Sequence, residues 1–182
     1  AVGSILGLPS AGKIADKLGA KNTVRIGGLV ALVGIFAAAW GVELNQGVVI
    51  PAIGLWFFGF AVGVWDVAQN LEGSVIEQKL DRAIMPWFHA AFSGGTVAGA
   101  LVGALATEIQ LPVLLHIGAI TLISSVLLGW GTKRFLAHET PVSSDASEKA
   151  PKQKSAWLEP RTLLVGLMVL AAAFTEGTAN DW

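Results

Sequence analysis

The chain has 182 residues, of which 53% are hydrophobic and only 14% charged, with a mean hydropathy of +0.63 and a net charge of −1. Soluble domains average about a quarter charged residues, so an ordinary soluble fold is a poor fit. The absence of Cys removes disulfide scaffolds, zinc–thiolate clusters and thiol chemistry from consideration, and the near-zero charge gives no reason to expect a nucleic-acid partner.

In chain order, residues 1–12 read as the tail of a membrane span. No initiator Met precedes Ala1 and no charged leader precedes the first apolar run, so no signal peptide is read. Both ends read as cut. Uncharged runs follow at 26–42 and 44–65; between Arg82 and Glu108 the one ionisable residue is His89, and between Glu108 and Lys133 it is His116. A bilayer core takes about 20 apolar residues per helix, which predicts spans near 24–43, 48–71, 85–107 and 111–132. Residues 133–160 carry Pro141, Pro151, Pro160, several Ser and mixed charges, the composition of a linker. Another span opens at Arg161, with 163–174 as its apolar start. The fold class predicted is an all-α, polytopic membrane helix bundle.

The bases fall in alternate connections. Lys13, Lys17, Lys21 and Arg25 form one group, Lys79 and Arg82 a second, and those from Lys133 to Arg161 a third. The connections at 43–46 and 107–110 have none. Lys and Arg stay cytoplasmic in short loops, so the three basic groups are expected on the cytoplasmic side and the other two connections outside.

Gly12-Lys13-Ile14-Ala15-Asp16-Lys17-Leu18-Gly19-Ala20-Lys21 joins two spans on that basic side. Glycines at 12 and 19 suit a reversal too tight for side chains. Asp16 at the membrane boundary could accept hydrogen bonds from the N-terminus of a neighbouring helix, where the macrodipole favours an anion. The ten residues resemble the signature loop of the major facilitator superfamily, G-x-[LI]-[AS]-D-[RK]-x-G-[RK]-[RK], departing from it at Ala20. The resemblance implies that the loop lies between the second and third of twelve helices. It implies a gating role for Gly12, Asp16, Lys17, Gly19 and Lys21, with Asp16 latching the cytoplasmic ends of two bundles. On this register residues 1–132 hold helices two to six of an N-terminal bundle and 133–160 the central cytoplasmic linker. Residues 161–182 begin a truncated helix seven, so about six of twelve helices are present.

Polar residues inside spans cost enough to be functional candidates. Asp66, Gln69 and Asn70 share one helix face, which Gly59 and Gly63 continue outward. Two readings of Asp66 stand: the wall of a water-filled cavity, or a boundary residue among cytoplasmic headgroups near Glu72. His89 shares a face with Ser93 and Thr96, while Gly95, Gly99 and Gly103 form a separate seam with the small-residue spacing of close helix packing. His89 either faces Asp66 across the contact of their two helices or is interfacial, as His116 is. Glu176, about fifteen residues in from Arg161, is near mid-bilayer depth at 1.5 Å per residue, and Asn180 follows one turn on.

The segments around Asp66, His89 and Glu176 resemble bacterial permeases distantly akin to fucose-permease-type sugar symporters. The drug–proton antiporter branches are a weaker match, since a buried Arg is missing from the fourth helix and a Gly-Pro pair from the fifth. The expected function is secondary transport of a small solute by alternating access, coupled to protons through Asp66 or Glu176, in a bacterial inner membrane and as a monomer when full length. The alternatives are proton-driven export of drugs or metabolites, and a non-transporting receptor or scaffold of the same fold. No Gly-x-x-x-x-Gly-Lys-[ST] loop for ATP, cofactor motif, metal cluster or nucleophile site is read, so an enzyme is not expected.

Overall fold

A backbone in hydrocarbon must satisfy its own hydrogen bonds, which makes long apolar runs helical. The computed structural model describes residues 2–45, 47–135, 159–160, 163–164, 166–168 and 171. Four α-helices and a short 3-10 turn appear in order: α1 (Val2–Glu43), α2 (Val49–Leu80), α3 (Met85–Glu108), α4 (Val113–Gly131) and the turn Thr132–Arg134. There is no strand among the described residues. Each of the four helices is long and apolar enough to cross a membrane, so the all-α membrane bundle holds. The predicted spans recur with shifted ends; α2 in particular continues past 71 to Leu80.

α1 is two helical arms, 2–18 and 20–43, broken at Gly19 (φ 76°, ψ 153°). That backbone region is open in practice to glycine alone. Contacts with α2 give the direction of each arm. On the first arm, a side chain at Gly3 would strike the backbone of Trp56 and Phe60, and Gly63 lies against Ser4 and Leu8. Residue numbers rise together, so this arm runs parallel to α2. On the second arm, Gly27 meets Ala61 and Trp65, Gly34 meets Gly54 and Phe58, and Gly41 meets Ile50 and Pro51. There the numbers rise against each other, and the arm is antiparallel. The chain therefore reverses at Gly19.

Glycine makes these approaches possible, since membrane helices associate by van der Waals contact where small residues let backbones close in. The Ser4 hydroxyl adds an interhelical bond, donating to the Gly59 carbonyl at 2.9 Å. Where the arms meet, Ala15, Val24 and Ala68 are buried beneath Trp65, Leu128 and Phe135. Leu128 sits over Gly28 and Phe36 over Gly118, seating α4 on the second arm. The contact is tied by Arg25 Nε, which donates to Thr132 Oγ1 at 2.8 Å, while that hydroxyl donates to the Leu128 carbonyl at 2.7 Å.

α3 is packed much less. Ala106 is its one buried residue, and its first turn is where it touches α2, with Met85 and Phe88 over Gly73. Asp81 closes α2 in the left-handed region (φ 47°). Glu77 then caps α3, one carboxylate oxygen accepting the amides of Ile84 (2.8 Å) and Met85 (2.9 Å). In the second unit, Pro141–Trp182, the described residues 160, 163–164, 166–168 and 171 are helical.

Candidate transport site and gating turn

Asp66 and Asn70 are one turn apart on α2, and the structure joins them. Asn70 Nδ2 donates to the Asp66 backbone carbonyl at 3.0 Å and to its Oδ1 at 3.3 Å. Asp66 and Gln69 are exposed and Asn70 is half-buried, so the polar face of α2 stays open rather than covered by the other described helices. The glycines expected to extend this face as a cavity wall do something else. The carbonyl of Gly59 and the backbone at Gly63 are occupied by the first arm of α1, which makes them packing positions.

His89 is exposed on α3. Its neighbours Met85 and Phe88 make the contact with α2, and they do so at Gly73, two turns along the helix from Asp66. The pairing of His89 with Asp66 is therefore not formed here. Among the described residues the small-residue seam of Gly95, Gly99 and Gly103 makes no contact, with nothing within 4 Å of a Cβ at any of the three. Glu176 and Asn180 lie outside the described residues.

The signature segment has one non-helical residue, Gly19; from Gly12 to Leu18 it continues the first arm. Gly12 is helical and nothing lies within 4 Å of a Cβ there, so the reversal depends on Gly19 alone. Ala15 is buried in the core, which turns Asp16 and Lys17 outward to the exposed side. The exposed Asp16 makes no hydrogen bond among the described residues. Lys21 is half-buried at the start of the second arm.

Reading the sequence did not find two polar contacts. The Arg25–Thr132 bond joins residues 107 apart, a separation no local pattern reports. The Glu77 cap had a visible signal, an acid shortly before a Pro-opened helix, at Met85-Pro86. The amides of Met85 and Ile84 hold the Glu77 carboxyl below the usual carboxylate range. A groove of about 450 Å³ between the second arm and α2 is lined by Leu29, Val33, Gly34, Ile53, Gly54 and Phe57, among others. None of its lining side chains can hydrogen-bond, so it offers nothing to orient a polar solute. Among the described residues no cluster of His, Asp or Glu could hold a metal.

The chain aligns over its whole length with two curated bacterial proteins. An uncharacterized transporter, y4wD, of Sinorhizobium fredii (strain NBRC 101917 / NGR234) is 34% identical over 181 residues, covering 100% of this chain and 46% of that protein. An uncharacterized MFS-type transporter of Yersinia pestis is 27% identical over 183 residues, covering 100% of this chain and 44% of that protein. Both relatives are named as transporters, the Yersinia pestis protein as one of the MFS type, and the similarity to each runs the full length of this chain. The chain spans about half the length of the curated relatives it matches. No family model matches it. No solved structure matches it either.

Proposed function

We propose that the complete protein is a secondary carrier for a small solute, working by alternating access and coupled to protons through Asp66 or Glu176. Residues 1–132 belong to its N-terminal bundle, 133–160 to the central linker and 161–182 to the opening of the second bundle. It resides in a bacterial inner membrane and works as a monomer. The observation that carries the reading is the Asp66–Asn70 pair, an ionisable group and its hydrogen-bond donor on an open face of α2, directly after that helix's uncharged run 49–65. An acid in a span is expensive unless it faces water, a partner or a solute. Midplane sites between the halves of such carriers supply all three. Protonation neutralises the carboxylate and lowers the cost of closing a cavity around it. Gln69, His89 and Asn180 are the further polar groups proposed for the cavity.

At the cytoplasmic end, Asp16 acts as a latch toward the second bundle, with Lys17 and Lys21 beside it and Gly19 setting the turn. Its outward position leaves it free to accept from a helix N-terminus.

Solute uptake by the complete protein in proteoliposomes, with and without a pH gradient, tests the proposal. Asp66→Asn or Glu176→Gln should abolish gradient-driven accumulation and preserve solute exchange. Full accumulation in both variants overturns proton coupling, and loss of exchange as well reassigns the residue to solute binding. Asp16→Asn should lower transport with normal membrane insertion; unchanged transport reduces Asp16 to a turn residue.

A further inference from the structure

The Arg25–Thr132 hydrogen bond does more than fasten α4 to α1. Lys21 and Arg25 are one turn apart on one face of the second arm, and Lys133 and Arg134 directly follow Thr132. The bond thus gathers four bases from two distant segments to one place at the basic end of the bundle. We propose that they form a headgroup site for an anionic phospholipid, such as phosphatidylglycerol, at the cytoplasmic edge of the bilayer. The site rests on the membrane orientation given above but not on any transported solute.

Arg25 is half-buried and held through Nε, which leaves its terminal nitrogens as pre-aimed donors. Lys133 and Arg134 are exposed and Lys21 is half-exposed. None of the four is bonded to a carboxylate among the described residues. The carbonyls ending α4 favour a neighbouring cation, which accounts for one base and not for four. Basic pockets between membrane helices on the cytoplasmic side suit anionic headgroups.

The surface next to the bases favours a lipid over a soluble anion. Leu127, Trp130 and Arg134 follow at i, i+3 and i+7 along one face of α4 and its end. Leu127 and Trp130 are 58% and 63% exposed, and Leu29, one turn from Arg25 toward the membrane interior, is 51% exposed. Cationic groups at the rim with bare apolar surface inward match the two halves of a phospholipid. A free phosphate would use only the first, and an indole at that depth is typical of a membrane boundary.

The test is lipid retention by the intact protein, purified in nanodiscs of mixed phosphatidylglycerol and phosphatidylcholine and read by native mass spectrometry. Wild type should retain phosphatidylglycerol selectively. Lys133→Gln/Arg134→Gln leaves the Arg25–Thr132 bond in place and should lower retention by about fivefold for each base removed. Lys21→Gln, on the other element, should lower it by a similar single step and serves as the independent reading if the double variant folds poorly. Lys13→Gln/Arg82→Gln removes equal charge elsewhere on the same side and should leave retention unchanged. Unchanged retention in the Lys133/Arg134 and Lys21 variants, or an equal loss in the control, overturns the site. Displacement of the lipid by inorganic phosphate alone overturns the assignment to a lipid.

Discussion

Gly34 and Gly54 meet backbone to backbone. A methyl group on Gly34 would lie 2.7 Å from the Gly54 carbonyl oxygen, and one on Gly54 would lie 2.5 Å from the Gly34 carbonyl oxygen. Neither obstacle is a side chain that could swing away, so even alanine must separate the helices. Gly34→Ala is expected to destabilise the protein by about 1–3 kcal/mol, the usual cost of overpacking. Thermal unfolding in detergent checks this, with Gly99→Ala as the control because nothing lies within 4 Å of its Cβ. Equal melting of the two variants would contradict the close contact.

Gly19 poses a different constraint, one of conformation and not of space. Its φ of 76° with ψ of 153° is a region side chains rarely enter, at about 1–3 kcal/mol for a forced residue. Gly19→Ala should therefore reduce folded yield, measured by gel-filtration fluorescence, whereas Gly12→Ala should match wild type. A larger loss at Gly12 would put the reversal at the wrong residue.

Glu77 sets the behaviour of the α2–α3 turn with pH. Its folded carboxyl is held low by the Met85 and Ile84 amides. The cap therefore contributes order above the usual carboxylate range and loses it as pH falls through the lowered folded value. Protection of the two amides from hydrogen exchange, taken relative to the intrinsic rate at each pH, should be high at neutral pH and fall in acid. Glu77→Ala should show low protection at both, with no acid step of its own. Protection in Glu77→Ala equal to wild type would show that the carboxylate is incidental.

The turn after α1 gives the test of orientation. Asn45 is exposed there at φ 51°, beyond the end of the second arm opposite Lys21 and Arg25. Cys at position 45 should react with an impermeant maleimide in intact cells, and Cys at position 81 should not. The opposite pattern would invert the topology.

The sequence made the spans legible because an 18-residue uncharged run has few alternatives to a membrane helix. The reversal near Gly19 was legible from the signature segment, though not which of its glycines mattered, since that depends on a single backbone angle. Side-chain faces read less well. Gly59 and Gly63 share a face with Asp66 yet serve helix packing, because small residues look the same whether they line water or admit a neighbouring helix. Conversely, the spacing of Gly95, Gly99 and Gly103 promised a contact that none of the described helices makes. Arg25–Thr132 was invisible because it arises only when α4 folds back across the chain.

One mechanical consequence lies in the opposed directions of the two arms. α2 is gripped on one flank by a strand of backbone running with it and on the other by one running against it, and the two are tied at Gly19. Axial slippage of α2 would carry bulky neighbours, Phe58 beside Gly54 and Phe60 beside Gly59, into both narrow seams at once. The three rods should then tilt only as a solid plate, whereas α3, held among the described residues mainly by its first turn, is not part of that plate. Disulfides stapling either arm to α2 should leave solute movement intact, and a staple that arrests it would show that the plate shears.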